Sequence, residues 1–462
     1  MAVEMIDSGT VIDGFQVLEK LHDGSMATLY RVTRPDIVMP ILMKIPKLGF
    51  GAHPACYVGF EMEQMILEKL AGPHVPTYVA RGTVGDVGYL VMERVEGTSL
   101  KESASRAPLP ADEVARLGCA LATALRELHR QDVVHLDFKP GNVLLQPSGQ
   151  AVLIDFGLSR HGGLPDLVEE EFHAPVGSGA YISPEQILGV RCEPRSDIFA
   201  LGVVLYQFAT GCLPFGSPTH VAGFRKRLYI DPRPPRAINP AIPEWLQEVI
   251  LHCLEADLRD RYPAAALVAH DLAHPDQVPI TERGRRTRRD GVVASARRWL
   301  RGLRMSPPGC PAPHARLSSA PHILVALDTE LGGGALASAM RDAVRRIAAS
   351  EPHYRVSCVS VIEPSLLTEE DEGRELANSL YTQRLVELRH WARPLGLPPE
   401  NLRYHALDSA NPAHALLEYA ARNHVDLIVI GARGSSTLRR LLGSVSARVA
   451  AEATCSVTVV RA

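Results

Sequence analysis

Apolar and polar positions alternate near both ends of the chain, with a different layout at each. Near the start, period-two patterning over 15–21, 29–33 and 41–45 predicts three successive strands. The period then lengthens. Met62, Met65, Ile66 and Leu70 fall on one face of a predicted helix over 61–70, and Val114, Leu117, Leu121, Leu125 and Leu128 form a longer stripe. The run 198–213 is apolar almost throughout, carries Gln207, and is short for a bilayer span, so it reads as a buried core helix. Toward the end, strands over 322–327, 354–362, 402–406, 427–430 and 456–460 alternate with helices over 334–350, 369–392, 412–423 and 438–452. Regular strand–helix alternation predicts a parallel sheet with helices on both faces.

Composition changes this picture only in the middle. The chain has 462 residues, 46% hydrophobic and 22% charged, which excludes a disordered or collagen-like polymer. Between Arg283 and Arg316 lie ten Arg, no Lys and one acid, Asp290, a net charge of +9; as the whole chain carries -3, the remainder carries -12. The Pro-rich run 306–313 follows, and Pro favours an extended spacer. A linker is therefore expected at 276–319, between units at 8–275 and 320–462. Val292, Ala296, Trp299, Leu300 and Leu303 share one helical face in this basic stretch. Such a helix can lie on an anionic membrane surface, but a solvated tether is the simpler reading. No nucleic-acid partner is expected, because Trp299 is the only aromatic there. Eight scattered Cys without a C-x-x-C pair predict neither a disulfide framework nor a zinc site. The opening MAVEMIDSGT lacks a basic, apolar leader, so a cytoplasmic location is expected.

Three segments carry chemistry. Leu21-His22-Asp23-Gly24-Ser25-Met26-Ala27 is a small-residue turn between two strands. It can bring backbone N–H groups to phosphate, though Gly24 alone reads more simply as a hairpin turn. Lys44 sits in an apolar strand, where its ammonium needs an anion, and Glu63 lies on the next helix; a lysine facing water is the alternative. Most specific is His135-Leu136-Asp137-Phe138-Lys139-Pro140-Gly141-Asn142, with Asp155-Phe156-Gly157 thirteen residues beyond Asn142. One carboxylate can orient a hydroxyl while the Asn and the second carboxylate hold Mg2+ against phosphate.

These motifs, in this order, resemble a bacterial eukaryotic-type Ser/Thr protein kinase over 8–275. Val91-Met92-Glu93-Arg94-Val95 is similar to the adenine-binding hinge, and 177–185 to the end of an activation segment whose Glu185 would pair with Arg261. The resemblance implies ATP and Mg2+ as cofactors, protein Ser/Thr hydroxyls as substrates, and a bilobal α+β kinase fold with a β-rich N-lobe and an α-rich C-lobe. It implies catalytic roles for Asp137, Lys139, Lys44 and Glu63. ATP would be bound by Gly24, Lys44, Met92, Glu93, Val95, Asn142 and Asp155, and metal by Asn142 and Asp155. Three positions depart from the family. His22 and Ala27 replace glycines of the phosphate loop, and Leu136 replaces the Arg before the catalytic Asp. The last change implies activity that does not depend on loop phosphorylation in the usual way. The acidic run 166–171 could imitate a fixed negative loop, but a solvated acidic turn is the simpler reading. A pseudokinase scaffold, which binds nucleotide without useful turnover, is the alternative function.

The last 143 residues resemble a universal stress protein domain, an α/β doubly wound parallel-sheet fold. A second site for ATP or ADP is implied at Asp328, Val361, Gly431, Gly434, Gly443, Ser444 and Val445, with a glycine spacer one residue shorter than the family pattern. A regulatory or nucleotide-sensing role follows by resemblance, as does a homodimer through the last strand.

Overall fold

The computed structural model describes residues 6–24, 26–47, 54–84, 87–172, 175–218, 220–288, 321–328, 334–350, 354–362, 371–398, 401–423, 425–432 and 444–461. The first unit opens with an antiparallel sheet of β1 (Val11–Ile12), β2 (Phe15–Asp23), β3 (Ala27–Thr33), β4 (Ile41–Pro46), β5 (Tyr78–Val84) and β6 (Val87–Glu93), in the order β1-β2-β3-β4-β6-β5. The two-residue period of β4 buries Ile41, Met43 and Ile45 with Phe15, Val17, Tyr30 and Val91 in a small core. It leaves half-buried Leu42 and Lys44 on the opposite face. Helix α1 (Pro54–Leu67) lies against that face.

Helices dominate the second lobe. After β7 (Thr98–Ser99) and α2 (Lys101–Ser105) comes α3 (Ala111–His129), whose stripe Val114, Leu117, Leu121, Leu125 and Leu128 is buried as its spacing predicts. Strands β8 (Val133–Val134), β9 (Val143–Leu145), β10 (Ala151–Leu153) and β11 (Arg160–His161) form short antiparallel pairs beneath the sheet. Helices α4 (Leu167–Glu171), α5 (Pro184–Ile187), α6 (Arg195–Thr210), α7 (Val221–Arg225), α8 (Glu244–Cys253), α9 (Ala265–Ala273) and α10 (Glu282–Arg285) complete the lobe. Fourteen of the sixteen residues of α6 are buried, as expected for an apolar core helix. The beginning of the expected linker is folded: Glu248 accepts hydrogen bonds from Thr281 and Gly284 and pairs with Arg283, which fixes α10 to α8. Most of the basic stretch, 289–320, lies outside the described residues.

The C-terminal unit is a parallel sheet in the order β14-β13-β12-β15-β16, from β12 (His322–Ala326), β13 (Arg355–Ile362), β14 (Leu402–Asp408), β15 (Leu427–Gly431) and β16 (Ser456–Val460). Helices α11 (Ala335–Ser350) and α12 (Asp371–Ala392) cover one face, and α13 (Pro412–Arg422) and α14 (Ser444–Glu452) the other. Alternate strand positions feed the two cores, Ile323 and Val325 into one, Leu324 and Ile428 into the other. Among the described residues, no helix is long and apolar enough to cross a membrane.

One expectation fails. The acidic run is no solvated turn: Asp166, Leu167 and Val168 are buried, and Asp166 caps α4 and takes the Arg191 guanidinium at 2.7 Å. Burial of the two apolar residues draws their charged neighbours in with them. Cys192 is disulfide-bonded, so scattered spacing without a framework still leaves room for a single bridge, while among the described residues Cys119, Cys212, Cys253, Cys358 and Cys455 are free thiols.

Candidate active site

Lys44 is the hinge of the site. Strand β4 aims it away from the small core, and α1 presents Glu63 one turn below the Phe60 backbone, so Nζ meets a Glu63 oxygen at 2.6 Å. Asp155 stands 3.5 Å from the same ammonium. Burial works against the charge of Lys44, but Glu63 and Asp155 outweigh it and hold its pKa above the ordinary lysine value. Burial raises the Glu63 carboxyl against the opposing pull of Lys44, whereas Lys44 lowers that of Asp155. Asp155, with 46% of its side chain accessible, is the more exposed of the two carboxylates and faces the cleft. Its φ of +66° places the carboxylate there. Helix α1 approaches this turn so closely that a Cβ on Gly157 would lie 3.1 Å from the carbonyl oxygen of Gly59. Glycine at both positions permits the contact that keeps Glu63 within reach.

The second group grows from the loop after β8. Asp197, buried at the start of α6, accepts the N–H groups of His135 (2.8 Å) and Leu136 (2.9 Å) and bonds His129 at 2.9 Å. These bonds hold the loop open, with Leu136 at a φ of +62°. Asp137 follows, and its carboxylate takes Lys139 Nζ at 2.6 Å, the Ser178 N–H at 3.0 Å and the Asn142 amide at 3.0 Å. Lys139 also donates to the Ser178 hydroxyl at 2.8 Å. The loop is tied to Asp155 through Ile154, whose N–H donates to the Asn142 carbonyl at 2.9 Å.

The structure therefore unites Lys44, Glu63 and Asp155, and joins Asp137, Lys139 and Asn142 around one carboxylate. Gly24 closes the β2–β3 turn with its N–H on the Ala27 carbonyl at 3.0 Å. Met92 is buried at the end of β6, Glu93 accepts two hydrogen bonds from Thr77, and Val95 is half-buried beyond the strand. Both amide hydrogens of Asn142 go to Asp137, to its carboxylate and its main-chain carbonyl, which leaves the amide oxygen for a cation. Among the described residues no cluster of three or more His, Cys, Asp or Glu could hold a metal alone. A cation at Asn142 and Asp155 would complete its shell with phosphate oxygen and water, as Mg2+ does. The donor set fits that ion. At a distance, Glu185 and Arg261 form a buried bidentate pair at 2.7 and 3.1 Å. Sequence reasoning assigned no role to Asp197 as the loop's anchor; an Asp opening an apolar helix is the signal that could have found it.

In the C-terminal unit, β12 and β15 are parallel neighbours where the strand order reverses, the place at which such sheets bind ligands. Asp328 is exposed just beyond β12, Gly431 ends β15, Val361 is half-buried near the end of β13, and Ser444 and Val445 open α14. Gly434 and Gly443 lie outside the described residues. Gly431 has a packing reason of its own: a Cβ there would sit 3.0 Å from Leu336 and 3.1 Å from Met340.

Comparison with known proteins gives two families. Residues 15–273 match the protein kinase domain, and residues 320–461 match the universal stress protein family. A probable serine/threonine-protein kinase of Clostridium perfringens is 30% identical over 259 residues, and serine/threonine-protein kinase PrkC of Bacillus subtilis 29% over 259. These matches cover 56% of this chain and only 38% and 40% of those relatives. The solved PknI kinase domain of Mycobacterium tuberculosis is 23% identical, with a TM-score of 0.46, over 58% of this chain and 99% of that one. With more than half of its length matched to the kinase domain, the chain belongs to the protein kinase family and carries a universal stress protein domain behind it.

Proposed function

We propose that the chain is a serine/threonine protein kinase that transfers the γ-phosphoryl group of ATP to protein hydroxyls. The observation that carries this reading is Lys44, held at 2.6 Å by Glu63 and 3.5 Å by Asp155, across the cleft from the Asp137–Lys139 pair. Lys44 binds the α- and β-phosphates, and Glu63 keeps it in place. Adenine lies against the backbone of Met92, Glu93 and Val95, under the turn at Gly24. Asp137 orients the acceptor hydroxyl and accepts its proton, and Lys139 neutralises charge on the transferred group. Asn142 and Asp155 hold Mg2+, which supplies charge neutralisation on the phosphate oxygens. With γ-labelled ATP and serine-, threonine- and tyrosine-containing acceptors, label should appear on serine and threonine. Asp137→Asn should lower kcat about 10³-fold. Equal label from both proteins would end this reading, and nucleotide binding without any transfer would favour a scaffold.

The domain limits proposed are 8–275 and 320–462, in a cytoplasmic protein. The second unit takes ATP or ADP at the sheet reversal, with Asp328 near the ribose and Gly431, Gly434, Gly443, Ser444 and Val445 around the phosphates. Dimerisation through β16 is supported by its place at the sheet edge, where Val457, Thr458, Val459 and Val460 are half-buried.

A further inference from the structure

Helix α1 has two working faces. One carries Glu63 toward Lys44. The other carries Tyr57, Glu61 and Met65, spaced four apart and therefore aligned, and this face meets the stress protein domain. Tyr57 is buried in the core of that domain with Leu385, Leu388 and Leu402. Glu61 takes Arg389 of α12 at 2.5 Å, and that guanidinium lies 4.2 Å from the Tyr57 ring centroid. Arg403 of β14 reaches the Met65 sulfur at 3.3 Å.

The same domain grips α4, inside the activation segment. Glu170 pairs with Arg355 of β13 and stands 3.6 Å from His405 of β14. Glu171 accepts from the Tyr381 hydroxyl and bonds His405 Nδ1 at 2.9 Å. These side chains are largely buried, so removing one partner leaves a charge stranded away from water. The kinase end of the contact is pinned by Asp166 to Arg191 and by buried Leu167 and Val168.

Resting on the kinase reading above, we infer that the stress protein domain is the built-in positioning partner of the kinase switch, holding α1 and the activation segment in the arrangement that forms the Lys44–Glu63 pair. Glu61 lies two residues from Glu63 on a rigid helix. Two residues are about 200° apart round a helix, so an outward swing of α1 that breaks Glu63 from Lys44 would drive Tyr57 and Glu61 into the docked domain, which blocks it. The docked domain thus favours one state over the other, which is what coupling requires. It also supplies what Leu136 takes away. A phosphorylated loop has no Arg there to dock on, whereas Glu170 and Glu171 bring carboxylates to Arg355, His405 and Tyr381 without any modification.

The test uses the full chain. Arg355→Glu and Glu170→Arg are made singly and together, with Tyr57→Ala as a probe of the α1 side alone. Steady-state transfer to a serine peptide is measured with hydrogen–deuterium exchange of 54–67 and 167–171. The three single substitutions should each lower kcat about tenfold or more, with the KM for ATP changing less, and should speed exchange in both helices. The double charge exchange should recover at least part of the lost activity. Single variants as active as the parent, or more active, overturn the inference, as do slow variants with parent-like exchange in both helices. If the parent itself shows no Asp137-dependent transfer, the kinase reading fails, and exchange alone then decides the docking role: unchanged protection in all three single variants ends it.

Discussion

The two candidate nucleotide sites of this chain are built from different materials. In the kinase unit the site is made of side chains: Lys44 between two carboxylates, and Asp137 with three donors upon it. In the stress protein unit the proposed site draws on backbone at a sheet reversal, with Asp328 and Ser444 as its polar side chains. Charged groups must be paired where they are buried, so the first site orders itself through its own electrostatics. The second depends on close packing beneath it, as at Gly431 against Leu336 and Met340. Substitutions should therefore act mainly through charge in one unit and through shape in the other.

The largest effect is expected at the buried Glu185–Arg261 pair. Arg261→Ala strands the Glu185 carboxylate and should cost the kinase unit about 3–5 kcal/mol in denaturant unfolding. A loss below about 1 kcal/mol would put that pair in water. Next comes Lys44→Met, which removes the cation proposed to bind phosphate and should lower kcat/KM about 10²-fold in steady-state assays. Activity near that of the parent would mean that charge does not organise this site.

The third prediction treats both units alike. Burial pushes His252 of the kinase unit down to about 4, helped by Arg283, and His322 of the other unit down to about 3, helped by Arg355. Both histidines are favoured neutral in the folded chain. Their stabilisation is complete above the ordinary value near 6.5, and is lost as pH falls and the unfolded chain takes up protons first. Each should contribute a slope of up to about 1.4 kcal/mol per pH unit below 6.5. His322→Asn, whose amide can take the place of Nδ1 against the Asn423 carbonyl, should flatten the slope of the stress protein unit only. Equal slopes in parent and variant would refute the assignment. The smallest effect is Gly431→Ala, where flexible Leu336 and Met340 ends must give way, at about 1 kcal/mol or slightly more by chemical denaturation.

The side-chain site was legible because its chemistry is local. Asp137, Lys139 and Asn142 fall within six residues, and Lys44 in an apolar strand announces a missing anion. The helix that supplies Glu63 was read too short. It begins at Pro54, not 61, because Gly59 and the aromatic residues near it weaken helix propensity while contact with Gly157 and the second domain favours it. The docking surface was not legible. Glu170 and Glu171 look like solvated acids, and their partners Arg355 and His405 are about 185 and 234 residues away. One signal was present in β14, where Arg403 and His405 alternate with Leu402, Tyr404 and Ala406. A strand with basic side chains along one face and apolar groups along the other asks what acidic group covers it.

The most direct test is a crystal structure of the full chain with Mg2+ and a non-hydrolysable ATP analogue. The account predicts the triphosphate in the cleft, with Lys44 on its α- and β-phosphates, Asn142 and Asp155 on the cation, and Asp137 facing the γ-phosphate. A nucleotide bound only at the C-terminal sheet, or Lys44, Asp137 and Asp155 turned toward separate cavities, would contradict it.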